Sequence, residues 1–155
     1  MNEVGKKITT LLMIHDDQKI LLGLKKRGFA EGRWNGFGGK VNPGEDIEAA
    51  ALREVGEEIG VKPLNMKKRG VFTFEFEGNP ELLEMHLFSA TTFDGEPKEG
   101  EEMRPKWFNR EEIPFGEMWP DDRHWFPLLF AGKNFNAYFK FRGHDEILEH
   151  KIEEA

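Results

Sequence analysis

The chain has 155 residues and a net charge of −7 at neutral pH, and it contains no cysteine. This length predicts a single domain over residues 1–155 with a hydrophobic core of its own. The negative charge argues against a polynucleotide partner, which usually needs a basic surface, and the lack of cysteine excludes disulfides and thiol catalysis.

No segment approaches the ~20 apolar residues that span a bilayer, so we expect no membrane partner. Residues 1–7 show neither the apolar segment of a signal peptide nor an arginine-rich presequence. We therefore expect a soluble intracellular protein located in the cytoplasm, with mitochondrial and nuclear pools left open.

Apolar and alternating segments predict a sheet. Phe72, Phe74 and Phe76 alternate with smaller residues, so one face of their strand should be aromatic. The tail from residue 146 to 155 is compatible with strand or helix. The other expected strands cover residues 8–14, 19–24, 68–76, 84–93, 105–108 and 135–141.

Two segments predict helices. Strong helix formers fill residues 47–59 between a capping Asp46 or Glu45 and Gly60, which should end the helix. The second helix, residues 122–130, is short and apolar. Mixed strands with two main helices predict an α/β fold of the α+β type, an α/β/α sandwich around a mixed central sheet.

The first predicted helix carries Glu54, Glu57 and Glu58 at positions i, i+3 and i+4, which share one face. Leu52, Val55 and Ile59 should form the packing face. Three neighbouring carboxylates repel one another unless a cation lies between them. Oxygen ligands favour Mg²⁺, with Mn²⁺ as a substitute, whereas a merely solvated acidic helix is the alternative.

Arg53 lies beside Glu54 and one turn from Glu57, so it can orient a carboxylate, although an ordinary helix ion pair is the alternative. The preceding glycine-rich segment, residues 36–40, includes Gly38 and Gly39 and lets backbone amides approach phosphate oxygens. Such a segment alone is equally typical of a structural turn. Together, the two features predict metal-assisted hydrolysis of a pyrophosphate bond.

A base pocket is predicted around Trp119, Asp121 and Asp122. An indole can stack on a purine, and two adjacent carboxyls sharing a proton can pair with its polar edge. The alternative is that one Asp caps the second helix. Asn35 can donate and accept in the pocket, or belong to a simple turn. The walls of the pocket, or else the core, should use Phe29, Phe74, Phe76, Leu83, Met103 and Trp125.

The spacing of Gly39, Glu45, Arg53–Glu54, Glu57–Glu58 and Gly60–Val61 is that of the Nudix box. The chain resembles the Nudix hydrolases and, within that superfamily, the animal homologues of MutT. Residues 34–40 and 119–122 together are far more discriminating than the box. The segments that carry this similarity are residues 21–29, 32–41, 102–105, 113–115, 118–122 and 138–141.

This resemblance implies a monomeric enzyme with the Nudix fold. It would convert 8-oxo-dGTP, together with 2-hydroxy-dATP and other modified purine triphosphates, to the monophosphate and pyrophosphate, and so cleanse the nucleotide pool. Glu102 and Gly38 would join the three helix glutamates as metal ligands. Trp119 and Phe29 would sandwich the base, and Thr10 and Lys25 would line the sugar and phosphate side.

Leu83 stands where these relatives are expected to have methionine, which leaves the ranking of oxidised purines open. A Nudix hydrolase of ADP-ribose, diadenosine polyphosphates or capped RNA is the alternative enzyme. A non-catalytic nucleotide-binding module is the alternative from another class, although the intact acidic motif argues against it.

Overall fold

The computed structural model describes residues 6–155, so residues 1–5, part of the segment on which the leader prediction rests, lie outside the described part. An eight-stranded mixed sheet forms the centre, in the order β10-β9-β5-β6-β1-β2-β3, with β8 also paired to β2. The strands are β1 Lys6–His15, β2 Lys19–Lys25, β3 Trp34–Asn35, β5 Lys67–Phe76, β6 Leu82–Ala90, β8 Met103–Asn109, β9 Phe135–Arg142 and β10 Glu146–Glu154.

Two of the pairings, β1 with β6 and β5 with β9, are parallel, and the other pairings in this sheet are antiparallel. A separate two-stranded sheet joins β4 Lys62–Pro63 to β7 Phe93–Asp94. The predicted strand over residues 84–93 is therefore two strands, because the chain leaves the main sheet after β6. The C-terminal tail is a strand rather than a helix.

The two helices are α1 Ile47–Ile59 and α2 Asp122–Phe130, with the predicted bounds. Each packs on its own face of the sheet. Ala51, Val55 and Ile59 of α1 join one buried cluster, and Trp125 and Phe126 of α2 join the other, which also holds Phe72 and Phe74. This arrangement confirms the sandwich and its aromatic face. No helix within residues 6–155 has the length and apolar character needed to cross a membrane.

The sheet opens between β1 and β2, and this opening positions the glycine-rich segment. The two strands are in register only at Ile14 with Leu21 and at His15 with Ile20. Residues 37–40 take the free edge of β1 instead, with bridges from Leu12 to Phe37 and from Thr9 to Lys40. The segment therefore lies along β1, in the gap between β1 and β2.

Candidate active site

The acidic helix α1 is well bounded. The Asp46 side chain accepts a hydrogen bond from the Ala49 N–H at 3.3 Å, and Gly60 ends the helix in the left-handed conformation with φ of 72°. Val55 and Ile59 are fully buried, as predicted, but Leu52 is 37% exposed and does not belong to the packing face. The packing stripe passes through Ala51 instead, since Ala51, Val55 and Ile59 lie at i, i+4 and i+8.

Arg53 links the helix to the segment before it. Its guanidinium donates to Glu45 at 2.7 and 3.0 Å, to Glu54 at 2.9 Å and to Glu57 at 3.2 Å. It also donates to the Lys40 carbonyl at 3.1 Å. Arg53 lowers the pKa of Glu45 to about 2. The side chain is thus more than an isolated helix ion pair, because it fixes the Glu54 carboxylate relative to the glycine-rich segment.

Glu58 is largely buried beneath that segment. Its Oε1 accepts a hydrogen bond from the Gly38 N–H at 2.9 Å. Burial, with the neighbouring charge of Glu54 adding to it, raises the pKa of Glu58 to about 8, although the Gly38 N–H acts in the opposite direction. Ionised Glu58 therefore requires positive charge beside it.

Two glycines are required here by close approach. A Cβ at Gly39 would lie 2.6 to 2.8 Å from the carboxyl atoms of Glu54, and a Cβ at Gly38 would lie 1.9 Å from the Thr10 carbonyl oxygen. Gly39 consequently leaves room for the Glu54 carboxylate, whereas Gly38 allows the segment to lie against β1.

The acids fit a hard divalent cation by their chemistry, since all of them offer oxygen. Within residues 6–155, however, no three acidic or histidine side chains are already arranged to hold a metal. Arg53 holds Glu54 and Glu57, and the Lys25 ammonium donates to Glu102 at 3.3 Å. The charge of Lys25 lowers the pKa of Glu58 and the charge of Glu102 raises it, so Glu102 borders the same site. Metal binding here requires these ion pairs to rearrange.

A cavity of about 480 Å³ opens on the α2 face of the sheet. Its volume lies within the range of small-molecule sites. Nine of the residues predicted for the pocket line it, namely Phe29, Asn35, Phe74, Phe76, Leu83, Trp119, Asp121, Asp122 and Trp125. Met103 does not, because β8 places its side chain in the α1-side core beside Phe37.

Asp121 and Asp122 are both buried in this cavity, with 4% and 2% of their surface exposed. The Trp125 indole N–H donates to Asp121 Oδ2 at 2.9 Å. One buried oxygen of Asp122 has no hydrogen-bond partner in the structure. The Asp121 side chain makes no capping bond to α2, so the helix-cap alternative is not supported for that residue.

The two carboxyls differ electrostatically. Burial raises the pKa of Asp121 to about 6, although the Trp125 hydrogen bond acts in the opposite direction. Burial and then the neighbouring Asp121 charge raise the pKa of Asp122 well above its usual value. Both shifts favour a pair that retains a proton. A pair with one proton presents one hydrogen-bond donor beside acceptor oxygens, of which Asp121 Oδ2 already accepts from Trp125.

Trp119 and Phe29 stack directly on each other, with ring centroids 5.6 Å apart and an interplanar angle of 28°. That separation is typical of two aromatic rings in contact and leaves no space for a base between them. The predicted sandwich is thus not present in this geometry. Phe29 is 66% exposed, so it is the ring that is free to move aside.

Two other predicted residues, Thr10 and Lys25, lie outside the cavity, and Asn35 lies in it. Thr10 is buried and follows the alternation of β1 onto the face of Leu12, on the α1 side, and it does not line the cavity. Lys25 lies at the acidic site through Glu102. Asn35 fits both the turn and the pocket interpretations. Its Oδ1 accepts from the Gly36 N–H at 2.8 Å, and the residue also lines the cavity.

A family model described as the NUDIX domain matches residues 5–129, which include the glycine-rich segment, α1 and the Asp pair. The chain belongs to the Nudix family. Nudix hydrolases act on small nucleotide substrates and generally use divalent metal ions.

Two relatives match nearly the whole chain over nearly their own whole length. The chain is 52% identical to the oxidized purine nucleoside triphosphate hydrolase of Danio rerio and 51% identical to that of Mus musculus, over 96% of each chain. A MutT protein of Bacillus halodurans superimposes with a TM-score of 0.82 at 25% identity, covering 94% of this chain and 97% of its own.

Several cavity residues of this Nudix domain were missed by the sequence analysis, among them Leu11, Phe141 and His144. Leu11 could have been found from the alternation of β1, since its side chain must lie on the face opposite Leu12. His144 gave no signal, because it enters the cavity from the β9–β10 turn and only the folded sheet brings that turn to Trp119.

Proposed function

We propose that this Nudix hydrolase cleaves oxidised purine nucleoside triphosphates such as 8-oxo-dGTP, with Mg²⁺ as its metal, to the monophosphate and pyrophosphate. The observation that carries the proposal is the buried Asp121–Asp122 pair in the aromatic cavity. Full-length identity above 50% to two oxidized purine nucleoside triphosphate hydrolases supports the same substrate class.

The carboxyl pair matches the polar edge of guanine. That edge presents N1–H and an amino group as donors, with O6 as an acceptor. Ionised Asp121 accepts from donors and protonated Asp122 donates to an acceptor, so one shared proton satisfies all three groups. The Trp119 indole supplies a stacking face, and Asn35 adds an amide that both donates and accepts.

On the α1 side, Glu54, Glu57 and Glu58 with Glu102 and the Gly38 carbonyl would hold Mg²⁺. A bound Mg²⁺ neutralises the phosphates and makes a water nucleophilic. Arg53 orients the Glu54 carboxylate, and Gly39 leaves it room. One of the three helix glutamates, or a water held by the metal, would act as the base, and Lys25 offers an ammonium to the phosphate groups.

The catalytic acids and the cavity lie on different faces of the sheet, so one substrate must extend across the opening between β1 and β2. The base would rest against α2 and the triphosphate against the glycine-rich segment. We propose that a single chain completes this site and acts as a monomer, which light scattering with and without nucleotide would test.

The experiment is a substrate panel. 8-Oxo-dGTP, 2-hydroxy-dATP, dGTP, dATP, ADP-ribose and a diadenosine polyphosphate are assayed with and without Mg²⁺, and pyrophosphate release is measured. We expect metal-dependent release from the oxidised purines, at kcat/KM values well above those of the ordinary ones. Preferential cleavage of ADP-ribose or of the dinucleotide would contradict the proposal.

A further inference from the structure

The turn between β9 and β10 closes one side of the cavity mouth. His144 lies in this turn, and its imidazole contacts two aromatic rings of the pocket. Its centroid lies 5.1 Å from that of Trp119 and 5.2 Å from that of Phe29. A turn residue far from both rings in sequence thus borders the same opening.

Arg33 connects this turn to Trp119. The central carbon of its guanidinium lies 4.5 Å from the indole ring centre, within the range of a cation–π contact. One guanidinium nitrogen donates to the His144 carbonyl oxygen at 3.2 Å, and the other terminal nitrogen forms an ion pair with Asp145. A single planar side chain therefore touches the indole and holds the turn.

This arrangement matters because Trp119 lacks the support of a regular element. It follows a short 3-10 turn, Phe115–Glu117, and precedes α2, so side-chain contacts must fix its indole. Arginine suits this task, since its rigid fork can stack on a ring and donate sideways at once, whereas lysine cannot do both. The charge of Arg33 also lowers the pKa of Asp121 and Asp122, against the effect of burial.

We propose that Arg33, His144 and Asp145 form a hairpin clamp that holds the Trp119 indole ready to stack on the purine base. Arg33 is a positioning residue in this clamp, and the clamp acts on base affinity rather than on the chemical step. The inference rests on the proposed function, because it concerns how the same cavity grips the base.

The test measures the Kd of the metal-free enzyme for the product 8-oxo-dGMP by calorimetry, together with kcat and KM for 8-oxo-dGTP. We expect Arg33→Ala to weaken product binding about tenfold and Arg33→Lys less, since lysine keeps the charge but loses the planar contact. Asp145→Ala should cost about threefold, because an 86% exposed carboxylate forms a weak ion pair. In all three variants KM should rise while kcat stays near the wild-type value.

Glu146→Gln is the matched control, since Glu146 pairs with Arg142 in the same hairpin without reaching Trp119. It should leave the Kd unchanged. A double variant of Arg33→Ala and Asp145→Ala should bind no more weakly than Arg33→Ala alone, which shows that the two act together.

Unchanged product affinity in folded Arg33→Ala and Asp145→Ala would overturn the clamp, and so would a fall in kcat at constant KM. A wild-type enzyme that binds 8-oxo-dGMP but leaves 8-oxo-dGTP uncleaved would contradict the proposed function instead. The binding measurement on the variants would then still decide whether the clamp exists.

Discussion

Asp121→Asn tests base recognition with little change in shape. The variant keeps an oxygen that can accept the 2.9 Å hydrogen bond from Trp125, but it removes the negative charge. A hydrogen bond to a charged group contributes about 1.5 to 3 kcal/mol. The kcat/KM for 8-oxo-dGTP should therefore fall by about 10- to 150-fold.

The loss should affect 8-oxo-dGTP and dGTP alike, because both bases present the same N1–H, amino and O6 groups. Steady-state kinetics with 8-oxo-dGTP and dGTP measure the loss for each substrate, and thermal unfolding checks the fold. We expect stability to be kept, because burial raises the pKa of Asp121 and so makes its charge unfavourable. Asp94→Asn, on the exposed β7 strand, is the matched control. An unchanged kcat/KM for 8-oxo-dGTP in a folded Asp121→Asn enzyme would refute the assignment of this carboxylate to the base.

Three further predictions concern glycine, arginine and pH. Gly39→Ala should lower kcat by about 10²-fold or more with little loss of stability, because the added methyl displaces only the Glu54 carboxylate; kinetics near the wild-type level would contradict this. Arg53→Lys should lower kcat about 10- to 100-fold, as for other groups that orient metal ligands, and an unaffected kcat would show that Glu54 needs no such support. The folded-state pKa of both aspartates is raised, so their contribution to stability is present at low pH and is lost as pH rises, for Asp121 through about 6 and for Asp122 as pH rises above its ordinary pKa. Urea titrations should show that Asp122→Asn gains stability relative to wild type at pH 8 but not at pH 4, and an equal difference at both pH values would contradict it.

Local rules predicted much of the fold. The bounds of α1 were predictable because Asp46 and Gly60 are strong capping residues, and those of α2 because an apolar segment, residues 125–130, follows soon after the Asp pair. The split after β6 was not predictable, since Phe93 continues the apolar pattern although it pairs in a second sheet with β4. Leu52 was misassigned because a helical period tolerates a shift of one residue between Ala51 and Leu52.

The candidate site was only partly predictable, for a related reason. Motif spacing identified the acids of α1, since they belong to one helix and one loop. Met103 was misplaced because its strand face depends on the register of β8 with β2. Arg33 and His144 come from the loop before β3 and from the β9–β10 turn, which belong to opposite ends of the strand order, and they meet only at the cavity mouth of the folded chain. Contacts between elements distant in sequence carry no local signal.

The central claim is that the acids of α1 hold Mg²⁺ and direct water onto the triphosphate of a nucleotide whose base is recognised on the opposite face of the sheet. The most direct measurement compares wild type with Glu58→Gln, a neutral side chain of the same shape, for Mg²⁺-dependent turnover of 8-oxo-dGTP and for metal-free binding of 8-oxo-dGMP. The account predicts that turnover falls by at least about 10³-fold while product affinity stays the same. Unchanged Mg²⁺-dependent turnover in Glu58→Gln would contradict it.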